Sequence, residues 1–187
     1  VIAIADETTL DTSSGTVLAG VTLKAPKGAT VVTPTTTLME EGNLSADQVA
    51  DVLGLPDGVD PLSFNAFDVD ENDPAEVAKA LAVEKVSQQV MSVVTAFASA
   101  AEGAGASEAD AFSAALNSVV EVVKTKAAKL TDATASDADK SLDLTNATDL
   151  ALIKTQAQSE VSALSGINAT AFTALTDDTA TAVKNVN

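Results

Sequence analysis

Hydrophobic and polar positions follow two different patterns along the chain, and the pattern changes near residue 42. Before that point, short β-branched stretches alternate with turn residues, and after it apolar residues recur at spacings of three and four. Alternation indicates strands, whereas the longer spacing indicates amphipathic helices. We therefore predict a β or extended lead-in over residues 1–42 and an Ala-rich helical bundle over residues 43–187.

The lead-in contains two strand-like segments, Val1–Ala5 and Val17–Leu23, separated by the turn-forming residues Asp11–Gly15. An unpaired strand leaves its backbone donors and acceptors exposed, so the first segment needs a partner. The first segment has two possible pairing partners: the second segment, reached through the turn, or a sheet in a preceding domain or a neighbouring subunit. Sequential strands usually pair with each other, which favours the first. The stretch from Thr30 to Pro34 is interpreted as extended chain as well.

Five helices are predicted after the lead-in. Ser45 is a suitable N-cap for the first helix, which Gly54 closes. Asp73 caps the second helix, and Pro74 stands at its first position, where a missing N–H does no harm. Ser107 is the predicted N-cap of the third. The predicted spans are Ala46–Leu53, Pro74 to about Ala101, Ser107 to about Ala127, a fourth helix built on Leu150 to Leu164, and a fifth that begins after Asn168.

The apolar positions of these helices define the predicted core. Aromatic residues make up 3% of the chain and 36 residues are Ala, so the core is built from small side chains. Small side chains let helices approach closely, which suits a bundle better than a sheet sandwich. The predicted fold is mainly α, an antiparallel bundle of four to five helices with a short N-terminal β or extended segment. The predicted core residues are Leu81, Val86, Val90, Val94, Phe97, Phe112, Leu116, Val119, Leu150, Ile153 and Val161.

Charge and residue types argue against several classes of function. The net charge is −17, and all ten cations are Lys. Such a negative field repels nucleic acid and anionic lipid. The chain has no His and no Cys, which removes Ser-His-Asp and Cys-His catalysis, ordinary zinc sites and disulfides. No apolar run reaches the length of a membrane span. We accordingly expect no enzyme, no nucleic-acid partner and no membrane insertion.

One acidic stretch is a candidate calcium site. Alternating carboxylate and amide oxygens are how a calcium-binding loop begins. The rest of an EF-hand loop is missing, since its sixth position is Asp73 instead of Gly and its twelfth is Lys79 instead of Glu. The other interpretation is a solvated acidic loop that caps the following helix, where negative charge is favourable. The candidate metal ligands are Asp68, Asp70, Asn72 and Asp73; no other cofactor is expected.

Two stretches of the lead-in carry a resemblance, Asp11-Thr-Ser-Ser-Gly15 and Leu23-Lys-Ala-Pro-Lys-Gly-Ala-Thr-Val-Val-Thr-Pro-Thr-Thr-Thr-Leu38. They resemble the form D-T-x-x-G … A-P-x-G-A-T-x-V-T-P-x-T-T-L. In large secreted and cell-surface proteins of marine and other Gram-negative bacteria, that form leads into an Ala-rich helical region. Cadherin-like, VCBS or calcium-binding RTX repeats often stand beside it. A Leu often occupies the position that is Thr35 here, and over the helices the similarity is one of composition only.

The resemblance implies an extracellular or cell-surface location and a structural or adhesive role. It implies no catalytic residues, and its calcium sites belong mainly to the neighbouring repeats. The function expected is a non-catalytic extracellular structural or adhesive module of a larger bacterial surface protein or assembly. Its expected partners are neighbouring domains of the same polypeptide or copies of itself. The alternative is a small-ligand or calcium-binding module.

Overall fold

The computed structural model describes residues 1–10 and 17–186, so the turn predicted at Asp11–Gly15 lies outside the described residues. The described part of the chain forms two short strands and seven helices, which confirms the predicted class of a helical bundle with a short N-terminal β segment. The elements are β1 (Ile2–Ile4), β2 (Thr22–Lys24), α1 (Pro34–Gly42), α2 (Ala46–Leu53), α3 (Pro74–Gly103), α4 (Glu108–Ala127), α5 (Asp137–Lys140), α6 (Ala147–Ser162) and α7 (Ala169–Val186).

Four helices form the bundle, and they pack in a closed ring in the order α3, α4, α6, α7 and back to α3. Their directions alternate around the ring. The end of α4 meets the start of α6, where Lys126 pairs with Asp149. The end of α3 meets the start of α7, where the amide of Asn168 donates to the carbonyl of Ala104. Short connections join α3 to α4 and α6 to α7, so the bundle runs up, down, up and down.

Helix ends lie where the sequence places its capping residues. Ser45, Asp73 and Ser107 each accept a backbone amide hydrogen bond in the first turn of α2, α3 and α4. Such bonds satisfy donors that have no partner inside the helix. Gly54 ends α2 with a φ of 64°, a left-handed conformation that costs Gly little because it has no Cβ.

Most of the predicted core is buried in the structure. The side chains of nine predicted core residues are buried, and Val86 is half-buried against the core. The exception is Leu81, which is 66% exposed. The nine buried residues are Val90, Val94, Phe97, Phe112, Leu116, Val119, Leu150, Ile153 and Val161.

Leu81 was placed in the core wrongly, because its position on α3 does not match the buried stripe. Successive helical residues are about 100° apart around the axis, so the step of nine positions from Leu81 to Val90 brings the two to opposite sides. Val90 is fully buried. The neighbouring Ala80, which is buried, marks the face that turns toward the core at this level of α3.

The prediction of extended chain up to residue 42 is wrong for Pro34–Gly42, which forms helix α1. Thr33 is its N-cap in a capping box with Thr36, and Pro34 begins the helix. Leu38 is fully buried, and α1 packs against α3 and α4. Cap and burial together outweigh the low helix propensity of the Thr run. The last part of the predicted lead-in therefore contacts the bundle directly, while the division into domains at residue 42 stays a prediction.

Candidate docking edge at the N-terminal hairpin

The N-terminal sheet is a two-stranded antiparallel hairpin. Ala3 lies opposite Leu23, and the amide of Ala25 donates to the carbonyl of Val1 over 2.9 Å. Pairing of the first strand with the second, which the sequence favours over pairing in another domain or subunit, is confirmed. A two-stranded sheet has two outer edges, and the backbone N–H and C=O groups along each edge need hydrogen-bond partners.

The outer edge of β2 is bound to α1 at Lys24. The amide of Lys24 donates to the Thr37 hydroxyl over 2.9 Å, and the hydroxyls of Thr36 and Thr37 donate to the carbonyl of Lys24 over 3.0 and 3.1 Å. The Lys24 ammonium adds an ion pair with Glu41 at 2.6 Å. These contacts fix the hairpin to the bundle. These contacts were not predicted, although the Thr run directly after Pro34 supplies side chains able to bind the backbone of a strand edge.

The outer edge of β1 is open. In an antiparallel ladder, residues whose backbone groups bond to the partner strand alternate with residues whose groups point away from it. The bonds from the amides of Ala5 and Ala25 fix this alternation. Ile2 and Ile4 fall at the positions that point away, and in the described part of the chain their outward N–H and C=O groups have no partner.

The side chains of the open strand are also exposed and apolar. Ile2 is 62% exposed and Ile4 is 78% exposed. Their shared side of the strand follows from the two-residue period of β structure. Proteins usually protect an edge strand with charged side chains or Pro. The segment Val1–Ala5 contains neither. We call this segment, with its outward backbone groups and the Ile2 and Ile4 side chains, the β1 edge.

A cleft of about 540 Å³ lies between the hairpin and α3. Its apolar walls include Leu10, Leu23 and Met91, and the largely exposed ring of Phe67 stands at its side. Glu84 contributes a carboxylate. A cleft of this volume, mainly apolar with a few polar groups, falls in the range of small-molecule sites.

The predicted calcium ligands lie in an exposed loop that leads into α3. The Asp73 carboxylate accepts the amide of Ala75 over 2.9 Å, which makes it the N-cap of that helix. The Asp70 carboxylate accepts the amide and the side-chain N–H of Asn72, and these bonds lower the pKa of Asp70. Asp68 is exposed. Within residues 1–10 and 17–186, no three acidic side chains converge to hold a metal ion, and calcium binding stays a prediction.

Other acidic side chains are likewise held by their own turns. The Thr145 hydroxyl and amide donate to the Asp143 carboxylate over 2.6 and 2.8 Å. Thr134 binds Asp132 in the same way. These donors, the hydroxyl first, lower the pKa of both carboxyls. A carboxylate so bound stabilises a loop and stays ionised at neutral pH.

Among the described residues, one ion pair is buried, and it joins α4 to α6. Lys126 Nζ lies 2.8 Å from Asp149 Oδ1, with the side chains 6% and 12% exposed. Lys126 also donates to the carbonyl of Ala138 over 2.7 Å, and Asp149 Oδ2 accepts the amide of Asp143 over 2.8 Å. Both charges are therefore compensated by neighbours that hold the connection between the helices. The signal was in the sequence, because Lys126 follows the core residue Val119 by seven positions and shares its face.

Comparison of the chain with protein-family models, with curated proteins and with solved structures finds no significant match. Of the helices in the described ranges, none is both long enough and apolar enough to cross a membrane.

Proposed function

We propose that this chain is a non-catalytic structural or adhesive module of a larger bacterial surface protein or assembly, located outside the cell or on its surface. The observation that carries the proposal is the β1 edge, which is open and apolar while the opposite edge of the hairpin is fixed to the bundle by Thr36 and Thr37. Strand addition to such an edge is a common way of joining protein modules.

The ionisable side chains support a role without catalysis. Catalytic carboxylates are arranged in pairs around a reacting atom, with environments that push their pKa values apart. Here Asp70, Asp132 and Asp143 each bind donors within two residues in their own loops. The buried Lys126 and Asp149 bind each other and backbone groups. These groups hold the fold together.

The cellular location is tested by labelling intact cells of the source organism with antibodies raised against the purified chain. We expect labelling without permeabilisation, as for a protein exposed at the surface. A strain lacking the gene is the control. Labelling that requires permeabilisation would contradict the proposed location.

The non-catalytic character is tested with glycoside and ester substrates, since carboxylates alone support glycoside hydrolysis. We expect no turnover above the buffer. Turnover that a single Asp→Asn substitution abolishes, in a variant with unchanged circular dichroism, would overturn this part of the proposal.

Calorimetry with calcium chloride separates the structural role from the calcium-binding alternative. A structural module gives little heat and an unchanged melting temperature. Binding heat that disappears in Asp70→Asn, with the melting temperature of the calcium-free protein unchanged, would favour calcium binding instead. The control is Asp47→Asn, which removes an acidic side chain from the first turn of α2.

A second candidate function is the binding of a small apolar molecule, favoured by the cleft between the hairpin and α3. An uncharged fluorescent dye such as Nile red is a suitable probe, because the net charge of −17 on the chain repels anionic dyes. If the cleft binds the dye, Phe67→Ser weakens the binding. Leu81→Ser, which removes an exposed apolar side chain outside the cleft, leaves it unchanged.

A further inference from the structure

We infer that the β1 edge is a self-association site that pairs with the β1 edge of a second copy of this chain. The inference rests on the proposed function, since it names the partner of a module that acts by assembly. Its starting point is that Ile2 and Ile4 present backbone donors and acceptors outward and no described residue binds them.

The spacing of the outward groups suits pairing between two identical strands. Two antiparallel copies of β1 related by a two-fold axis through Ala3 bring Ile2 of each opposite Ile4 of the other. Both residues point their N–H and C=O groups to the edge, so each of the two pairs exchanges two hydrogen bonds. The same patch then serves both copies, as a two-fold interface requires.

The side chains agree with this register. Ile2 and Ile4 lie on one side of β1, so the two-fold pairing gathers four exposed Ile side chains into one apolar cluster. Opposed β-branched side chains stabilise antiparallel pairs. Val1–Ala5 contains no charged side chain, and the strand itself therefore introduces no like-charge contact across the axis.

Net charge opposes the association and gives it a recognisable salt dependence. Each copy carries a net charge of −17, so the two copies repel each other although the paired strands have no charged side chains. The repulsion is screened over about 8 Å at physiological ionic strength and over about 3 Å in 1 M salt. Association of the β1 edges therefore strengthens as salt is added, the opposite of what an interface made by ion pairs would do.

The expected association is weak. Five paired residues bury less surface than the roughly 1,200 Å² at which stable interfaces begin, so we expect weak association of isolated copies, with a dissociation constant on the order of 10⁻⁴ M. Weak contacts of this kind become effective when many copies are linked or held on one surface.

Sedimentation equilibrium of the full chain at two salt concentrations tests the inference, with Ile4→Pro as the decisive variant. The Ile4 amide points away from β2, so Pro removes an outward donor without removing a bond of the hairpin. We expect the wild type to form dimers that tighten with salt, and Ile4→Pro to weaken the association about tenfold or more. Ile4→Val keeps the donor and the β-branched side chain, and is the matched control that still associates.

Each outcome of the sedimentation experiment supports or contradicts the self-association. If Ile4→Pro fails to fold, judged by circular dichroism, Ile4→Lys tests the same edge with a charge and is expected to abolish dimers. Wild-type protein that stays monomeric at millimolar concentration, or dimers that neither variant weakens, would overturn the self-association. Cell-surface labelling decides the proposed function separately, so a monomeric surface module and an intracellular protein are distinguishable outcomes.

Discussion

Replacing Lys126 by Met removes the positive member of the buried ion pair between α4 and α6 and keeps a side chain of comparable length. The Asp149 carboxylate then stays in a site where only 12% of the side chain is exposed. At the 2.8 Å separation of the pair, the Coulomb attraction is about 6 kcal/mol for an effective dielectric constant near 20. Much of this offsets desolvation, and removing one partner of a buried pair typically costs about 3–5 kcal/mol.

The measurement is urea unfolding followed by circular dichroism, with a thermal scan as a second readout. For a domain of this size, a loss of about 3–5 kcal/mol lowers the melting temperature by about 6–20 °C. Lys124→Met is the matched control, because Lys124 pairs with Glu121 on the exposed side of the same helix and such pairs contribute about 1 kcal/mol or less. If Lys126→Met destabilises the protein no more than this control, the buried ion pair does not stabilise the contact between α4 and α6 as we describe.

Three further predictions follow from burial and hydrogen bonding. Phe97 is 1% exposed, so Phe97→Ala lowers the free energy of unfolding by about 3–5 kcal/mol. Leu81→Ala on the same helix changes it by about 0.5 kcal/mol. Equal losses for the two variants in urea unfolding would show that the assigned face of α3 is wrong. Thr35 is buried and its hydroxyl has no partner among the described residues, so Thr35→Val stabilises by about 1 kcal/mol; a loss in the same assay would reveal a bond that the hydroxyl makes. The lowered pKa of Asp143 means that its bonds stabilise the fold at pH values above the ordinary 3.8 and are lost as pH falls through the still lower folded value. Thr145→Ala therefore raises that pKa, which an NMR titration of the carboxyl measures, and an unchanged value would contradict the assignment of the Thr145 hydroxyl as its main cause.

The helical part of the fold was predictable because its signals are local. Asp73 and Pro74 stand together as N-cap and first helical residue, and α3 begins there. Thr33 and Pro34 have the same arrangement at the start of α1. The Thr run that follows has high β propensity and conflicts with this signal, and the packing of α1 against α3 and α4 adds to the cap in favour of the helix.

The candidate site was predictable only in part. The need of the first strand for a partner was visible in the alternation of Val1–Ala5. Which edge stays open was not, because it depends on the hydroxyls of Thr36 and Thr37 reaching the backbone of Lys24. Contacts between residues twelve or more positions apart follow from the packing of whole elements, and no local pattern encodes them.

Amide hydrogen exchange across the hairpin, measured by NMR as a function of protein concentration, is the sharpest test of the open β1 edge and its pairing with a second copy. Ala3 and Ala5 donate within the hairpin, whereas Ile2 and Ile4 point to the open edge. We expect the amides of Ala3 and Ala5 to be protected at every concentration. The amides of Ile2 and Ile4 should exchange freely in dilute solution and become protected as the concentration rises. Protection of Ile2 and Ile4 that is already complete in dilute protein, or that never appears at any concentration, would contradict this expectation.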